Sequence, residues 1–104
     1  VNLGADGKFY INATDTGITW SGGNWYNVSF VHDGLTSCTL YVQTNGGTIE
    51  SAPIACTSFS SDPTGRVLVS GGTAGYIKSA MLFTQVQLSS DVKQVFDYLN
   101  NRFP

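Results

Sequence analysis

Charge is what this chain has least of. Only 12% of its 104 residues are Asp, Glu, Lys or Arg, and the net charge at neutral pH is −2. The five basic residues, Lys8, Arg66, Lys78, Lys93 and Arg102, are scattered over its whole length. Neutralising phosphates requires clustered Lys and Arg, so the composition argues against nucleic acid and anionic lipid as partners. No apolar run approaches the roughly 18 residues that mark a membrane-spanning helix, so no membrane insertion is expected. Nor does a basic-then-apolar stretch open the chain, so no signal peptide is read in it.

Groups that do chemistry are equally sparse. There is one His, His32, and one Glu, Glu50. Asp6, Asp15, Asp33, Asp62, Asp91 and Asp97 each stand alone and read as turn formers or helix-end charges. No G-x-S-x-G occurs, and His32 is the sole base of its kind, so a serine nucleophile has no partners. Cys38 and Cys56 cannot form a zinc site with a lone His that lacks metal-ligand spacing. Each cysteine lies two residues from an apolar neighbour, Leu40 or Ile54, and so shares that neighbour's strand face. Two readings stay open: buried free thiols, or a disulfide, which would imply an oxidising compartment.

What the chain does have is strand signal. Lys8 to Ala13 alternates, and Gly17 to Trp20 resumes after an expected turn at Asp15-Thr16-Gly17. Trp25 to His32 is the strongest strand, with Tyr26, Val28 and Phe30 on the expected core face. Asp33-Gly34 turns the chain, Thr36 to Gln43 alternates, and Thr44-Asn45-Gly46-Gly47 reverses it again. Further strands are expected at Ile54 to Phe59, Arg66 to Ser70 and Tyr76 to Gln85, the last bulged or buried on both faces. Seven or eight strands are expected in all. Only the end is helical: Leu88, Val92, Val95, Phe96 and Leu99 form one apolar stripe, capped by Ser89 or Ser90 with Asp91 in the first turn. The length and the lack of repeats or linkers predict a single domain over 1–104.

As a set, these motifs resemble the laminin G-like branch of the concanavalin A-like lectin and glucanase superfamily. The resemblance rests on Trp25 to Val31, Leu40-Tyr41-Val42, Gly71-Gly72, Gly75-Tyr76-Ile77 to Leu82-Phe83, and Leu88-Ser89 to Leu99. It covers roughly residues 24 to 103 and departs from the family where Gln43-Thr44 displaces an expected Asn-Gly. It implies an all-β fold, an antiparallel β-sandwich of jelly-roll type with a short C-terminal α-helix. Family members are usually longer, so a minimal or partial version of the fold is expected, with an open sheet edge through which the chain could form a homo-oligomer. Calcium, which such domains often hold, has a weak candidate ligand in Asp33, with Asp15 or Asp62 as alternatives; no other cofactor is implied.

The glucanases of the superfamily carry E-x-D-x-E on one strand, because an acid and a nucleophile must flank the scissile bond about 5 Å apart. No such pattern exists here, so no catalytic residue is assigned. Sugar binding needs an aromatic platform with amides or carboxylates beside it. The candidates are Trp20, Asn24, Trp25, Tyr41 and Tyr76, with Trp20 in its Ser21-Gly22-Gly23 loop expected to be the most available. The expected function is a non-catalytic recognition module for a glycan or a protein surface, in an extracellular or virion-associated protein. The alternatives are a structural protein that assembles through a sheet edge or apolar face, and a fragment of a glycoside hydrolase.

Overall fold

The computed structural model describes residues 1–56, 76–83 and 85–103. Six strands and one helix lie among them: β1 (Asn2–Leu3), β2 (Lys8–Ile11), β3 (Thr14–Thr19), β4 (Tyr26–His32), β5 (Ser37–Thr44), β6 (Ile49–Ala55) and α1 (Ser89–Arg102). They form two antiparallel sheets of three strands each, in the orders β1-β2-β3 and β4-β5-β6. No described helix is long and apolar enough to cross a membrane. The expected strand at Arg66 to Ser70 and the end of the one at Ile54 to Phe59 lie outside the described residues. Tyr76 to Phe83 contains no strand, contrary to expectation, and all eight residues are exposed. Among the described residues no strand pairs with the apolar run Ala80 to Phe83, so it joins no ladder there.

The turns decide the registers. Between β2 and β3 the reversal falls at Asn12-Ala13, with Asn12 at φ 53°, and not at Asp15-Thr16-Gly17. Those three residues lie inside β3. Tyr10 pairs with Asp15 but Lys8 with Thr19, so β3 carries two extra residues there, and Gly17 at φ 77° absorbs the bulge. Between β5 and β6, Asn45 and Gly46 have φ 49° and 73°, as the two central residues of a type I′ turn require, and the Gly47 amide donates to the Thr44 carbonyl at 2.9 Å. The second sheet therefore resumes at Ile49, five residues before the predicted start, with Pro53 tolerated because β6 is an edge strand.

One core joins the two sheets. Phe9, Ile11 and Ile18 from the first meet Leu40, Val42 and Ala52 from the second, with Trp20, Tyr26 and Ile54 at its margin. Leu40 and Val42 are fully buried. Tyr26, Val28 and Phe30 do stand on this face, since Val28 pairs with Val42 and Phe30 with Leu40. Tyr26 packs against the core, whereas Val28 and Phe30 remain 41% and 42% exposed, contrary to expectation. Between the sheets β3 packs against β6, on the far side of the sheet from β4, and Phe9 meets the Tyr26 ring at the start of β4.

The opposite face of the second sheet carries the helix. Val92 and Phe96 are buried, while Leu88, expected to begin the stripe, is exposed and sits at the N-cap. Ser89 and Ser90 follow the cap, so neither provides it. The Leu88 amide instead donates to the Asp91 carboxylate at 2.9 Å, and that charge suits the positive end of the helix dipole. At the far end, Asn100 accepts a hydrogen bond from Asn27 (2.8 Å) and donates to Gln43 (3.0 Å). Asn27 also donates to Gln43, and Gln43 donates to the Gly47 carbonyl. Gln43 is buried, yet no buried side-chain polar atom among the described residues lacks a partner.

Cys38 and Cys56 are joined in a disulfide with a Cα–Cα distance of 6.0 Å and a sequence separation of 18. The bond ties the start of β5 to the residue that follows β6.

Two stability outcomes follow from this packing. Phe96→Ala should lower the unfolding free energy by about 3 to 5 kcal/mol, the usual cost of emptying a buried aromatic site. A loss below about 1 kcal/mol in denaturant titration would mean that α1 does not dock on the sheet. Reducing Cys38–Cys56 should cost about 3 kcal/mol, given the short loop it closes, and an unchanged midpoint under reductant would contradict the linkage.

Candidate functional site

Along the core face of the second sheet, the apolar positions run out at one end. On β5 the sequence Cys38, Leu40, Val42 ends in Thr44, and on β6 Ile54 and Ala52 give way to Glu50. The first sheet changes at the same end, where Thr19 and Trp20 follow Ile18. Polar groups at these places leave a groove at one end of the two-sheet unit, with a volume of about 770 Å³. Its lining includes Trp20, Tyr26, Asn24, Thr44, Thr48 and Glu50, together with Asp6, Gly7, Thr19 and Ser21.

Trp20 is fixed at both backbone and ring. Its amide donates to the Gly7 carbonyl at 2.9 Å, and its indole Nε1–H donates to the Gly4 carbonyl at 3.0 Å. The Gly4–Gly7 loop is itself closed by hydrogen bonds from Gly4 to Lys8 and from Gly7 to Gly4. A Cβ on Gly4 would collide with the Tyr10 ring and the Asp6 carboxylate, so any other residue there would have to displace those side chains. Trp20 is accordingly half-buried against the core, not the loosely exposed loop residue that the sequence suggests. Its indole N–H is already spent, which leaves the ring to meet a ligand.

Tyr26, which also lines the groove, is braced in the same way. The Tyr26 hydroxyl accepts from the Ser21 amide at 2.8 Å and donates to the Ser21 carbonyl at 3.2 Å. Its ring meets Phe9 edge-on at 5.6 Å. Asn24 donates to the Ser21 hydroxyl and accepts from Asn45, while Asn45 accepts from the Trp25 amide at 2.9 Å. The loop between the sheets is thus stitched to the β5–β6 turn, and the groove's shape is set before any ligand arrives.

The two carboxylates at the groove differ. Both oxygens of Asp6 are engaged, one by the Lys8 amide at 3.2 Å and the other by the Tyr10 hydroxyl. That hydroxyl bond pushes Tyr10 up to about 12. Glu50 is exposed, and none of the described hydrogen bonds or ion pairs engages its carboxylate.

Of the residues singled out from sequence, the fold brings Trp20 and Asn24 into this groove; Trp25, Tyr41 and Tyr76 do not line it. Trp25 lies beneath Lys78, whose Nζ is 4.3 Å from the ring centroid. Tyr41 alternates with the core residues Leu40 and Val42 and so stands on the other face of β5, and Tyr76 is 88% exposed. Thr44, Thr48 and Glu50 were missed, although polar residues continuing the Leu40, Val42 alternation were the available signal. Asp33, the weak calcium candidate, uses one carboxylate oxygen to accept from the Leu35 and Ser37 amides at 2.8 and 3.1 Å, and these bonds hold its carboxyl below the usual range. His32, without metal-ligand spacing in sequence, lies within 4.8 Å of both cysteine sulfurs. The disulfide leaves no thiolate there to bind an ion, and the His32 Nδ1 accepts from the Gly34 amide at 2.9 Å.

Compared with protein-family models, curated proteins and solved structures, the chain matches none of them.

The Asp6–Tyr10 bond generates a pH outcome. Because the folded pKa of Tyr10 lies above the unfolded value of about 10, the bond's stabilisation is complete below pH 10 and is lost as pH rises through about 12. Absorbance titration should show one of the five tyrosines ionising late, and Asp6→Asn should bring it back toward the others. Simultaneous titration of all five near pH 10 in the native protein would contradict the bond.

Proposed function

We propose that this protein is a non-catalytic recognition module that holds a saccharide in the groove lined by Trp20 and Tyr26. The observation that carries the reading is a groove whose lining brings two hydrogen-bonded aromatic residues, Trp20 and Tyr26, beside threonine hydroxyls and an uncommitted carboxylate, the chemistry that suits a sugar ring's apolar face and its hydroxyls. Rigid walls favour binding because little ordering is left for the ligand to impose. Among the described residues the charged groups lining the groove are Asp6 and Glu50, with no Lys or Arg, so the reading specifies an uncharged or amine-bearing saccharide over a sulfated or carboxylated one. Asp6 is poorly suited to act as a general acid while both its oxygens are engaged, which supports binding without hydrolysis.

On this reading the chain is a compact relative of laminin G-like, concanavalin A-like sandwiches, carried by an extracellular or virion protein. A disulfide between β5 and the end of β6 is consistent with an oxidising compartment. No metal is required, since the groove's polar groups reach a sugar directly.

The test is an array of neutral, amino and acidic oligosaccharides, followed by titration of any hit through tryptophan fluorescence. Glu50→Gln should weaken the best ligand about tenfold, the loss of one charge-assisted hydrogen bond, while Tyr76→Ala should leave it unchanged. Retention of acidic sugars alone, or an affinity indifferent to Glu50→Gln, would remove the groove from the function.

A further inference from the structure

The two edges of the second sheet differ in chemistry. β6 carries Glu50 and Pro53, a charge and a residue without an N–H, and both are devices that keep a sheet edge from pairing. β4 reads Tyr-Asn-Val-Ser-Phe-Val-His, with no proline, carboxylate, Lys or Arg in its seven residues. Among the described residues, its outer edge pairs with no strand. Val28 and Phe30 meanwhile lie open beside the fully buried Val42 and Leu40.

Charge stands only at the ends of this strand, with opposite signs. Asp33 follows its last residue, and the Leu35 and Ser37 amides favour the ionised form of its carboxylate. Lys78 stands over Trp25, just before its first residue.

We propose that β4 pairs antiparallel with β4 of a second copy of this chain, about a two-fold axis at Ser29, making one six-stranded sheet. In this register Val28 of one copy opposes Phe30 of the other, so the apolar side chains left open by the monomer cover each other. Trp25 opposes Asp33, which brings the Lys78 ammonium of each copy to the Asp33 carboxylate of the other. The symmetry makes that ion pair twice. A parallel, in-register pairing would instead set Asp33 against Asp33, so charge selects the antiparallel form. An interface built on one seven-residue strand is small, which puts this dimer in the weak, reversible class.

The pairing does not depend on what the groove binds, and it is tested without a ligand. Sedimentation velocity of the whole chain from about 10 μM to 1 mM, a range set by the affinities of small interfaces, should show a monomer giving way to a dimer. Amide exchange across Tyr26–His32 should slow over the same range. Val28→Lys places a charge at an open position and should weaken the dimer at least about tenfold, as edge charges do, without unfolding the chain. Lys78→Glu should weaken it as well and reverse the sign of its response to salt. A chain that stays monomeric at the highest concentration overturns the proposal. So does a dimer indifferent to both variants, which would place the interface elsewhere. Protection of β4 that is complete at the lowest concentration would show the edge covered within one chain, and would overturn it too.

Discussion

The structure depends on β5 being loaded from both sides. Its even-numbered residues, Leu40 and Val42 above all, are sealed by the first sheet, while its odd-numbered Gln43 is sealed on the other face beside the helix. A central strand buried on both faces cannot shift register by one residue, because the shift would put Gln43 into the apolar core and Val42 among amides. Every neighbouring element takes its position from that strand: β4 and β6 by ladder hydrogen bonds, the first sheet by the apolar face, and α1 by the polar one.

The two layers on β5 are held by different forces. Apolar burial favours contact between the sheets but tolerates many arrangements of similar volume. The Asn27, Gln43, Asn100 cluster is directional, and a slide of the helix would break both bonds of Asn100, to Asn27 and to the buried Gln43. The amides therefore set where the helix sits, while Val92 and Phe96 supply most of the reason for it to sit there at all. The disulfide adds a constraint of a third kind, because it limits the unfolded chain more than it shapes the folded one.

The groove and the open edge both arise where this packing stops. The groove forms at the end of the sheets where Thr44 and Glu50 interrupt the apolar rows, and the loops around Trp20 and Tyr26 are then braced by hydrogen bonds within the chain. The edge stays open at Val28 and Phe30 because the first sheet packs against β6 and meets β4 at Tyr26, leaving those two side chains exposed. A recognition surface and an association surface can then share one small domain without competing for residues, as the groove draws on β4 only at Tyr26.

Alternation was enough to find β2, β4, β5 and the helix, because a period of two or of 3.6 is a local property of side chains facing one boundary between core and water. The Asn45-Gly46 turn was legible for the same reason, since positive φ at two successive positions has few sequence solutions. Where the polypeptide's local preferences permit two outcomes, only the assembled structure chose. Asp15-Thr16-Gly17 suits a turn as well as a bulge, and pairing with β2 made it a bulge. Ser89 suits an N-cap, but the docking of Val92 and Phe96 set the helix phase that left Leu88 there. Val28 and Phe30 carry the pattern of buried residues and lie on the correct face. Their exposure could not be read from the strand, because burial depends on how far a second sheet reaches, and that is a property of the packed whole.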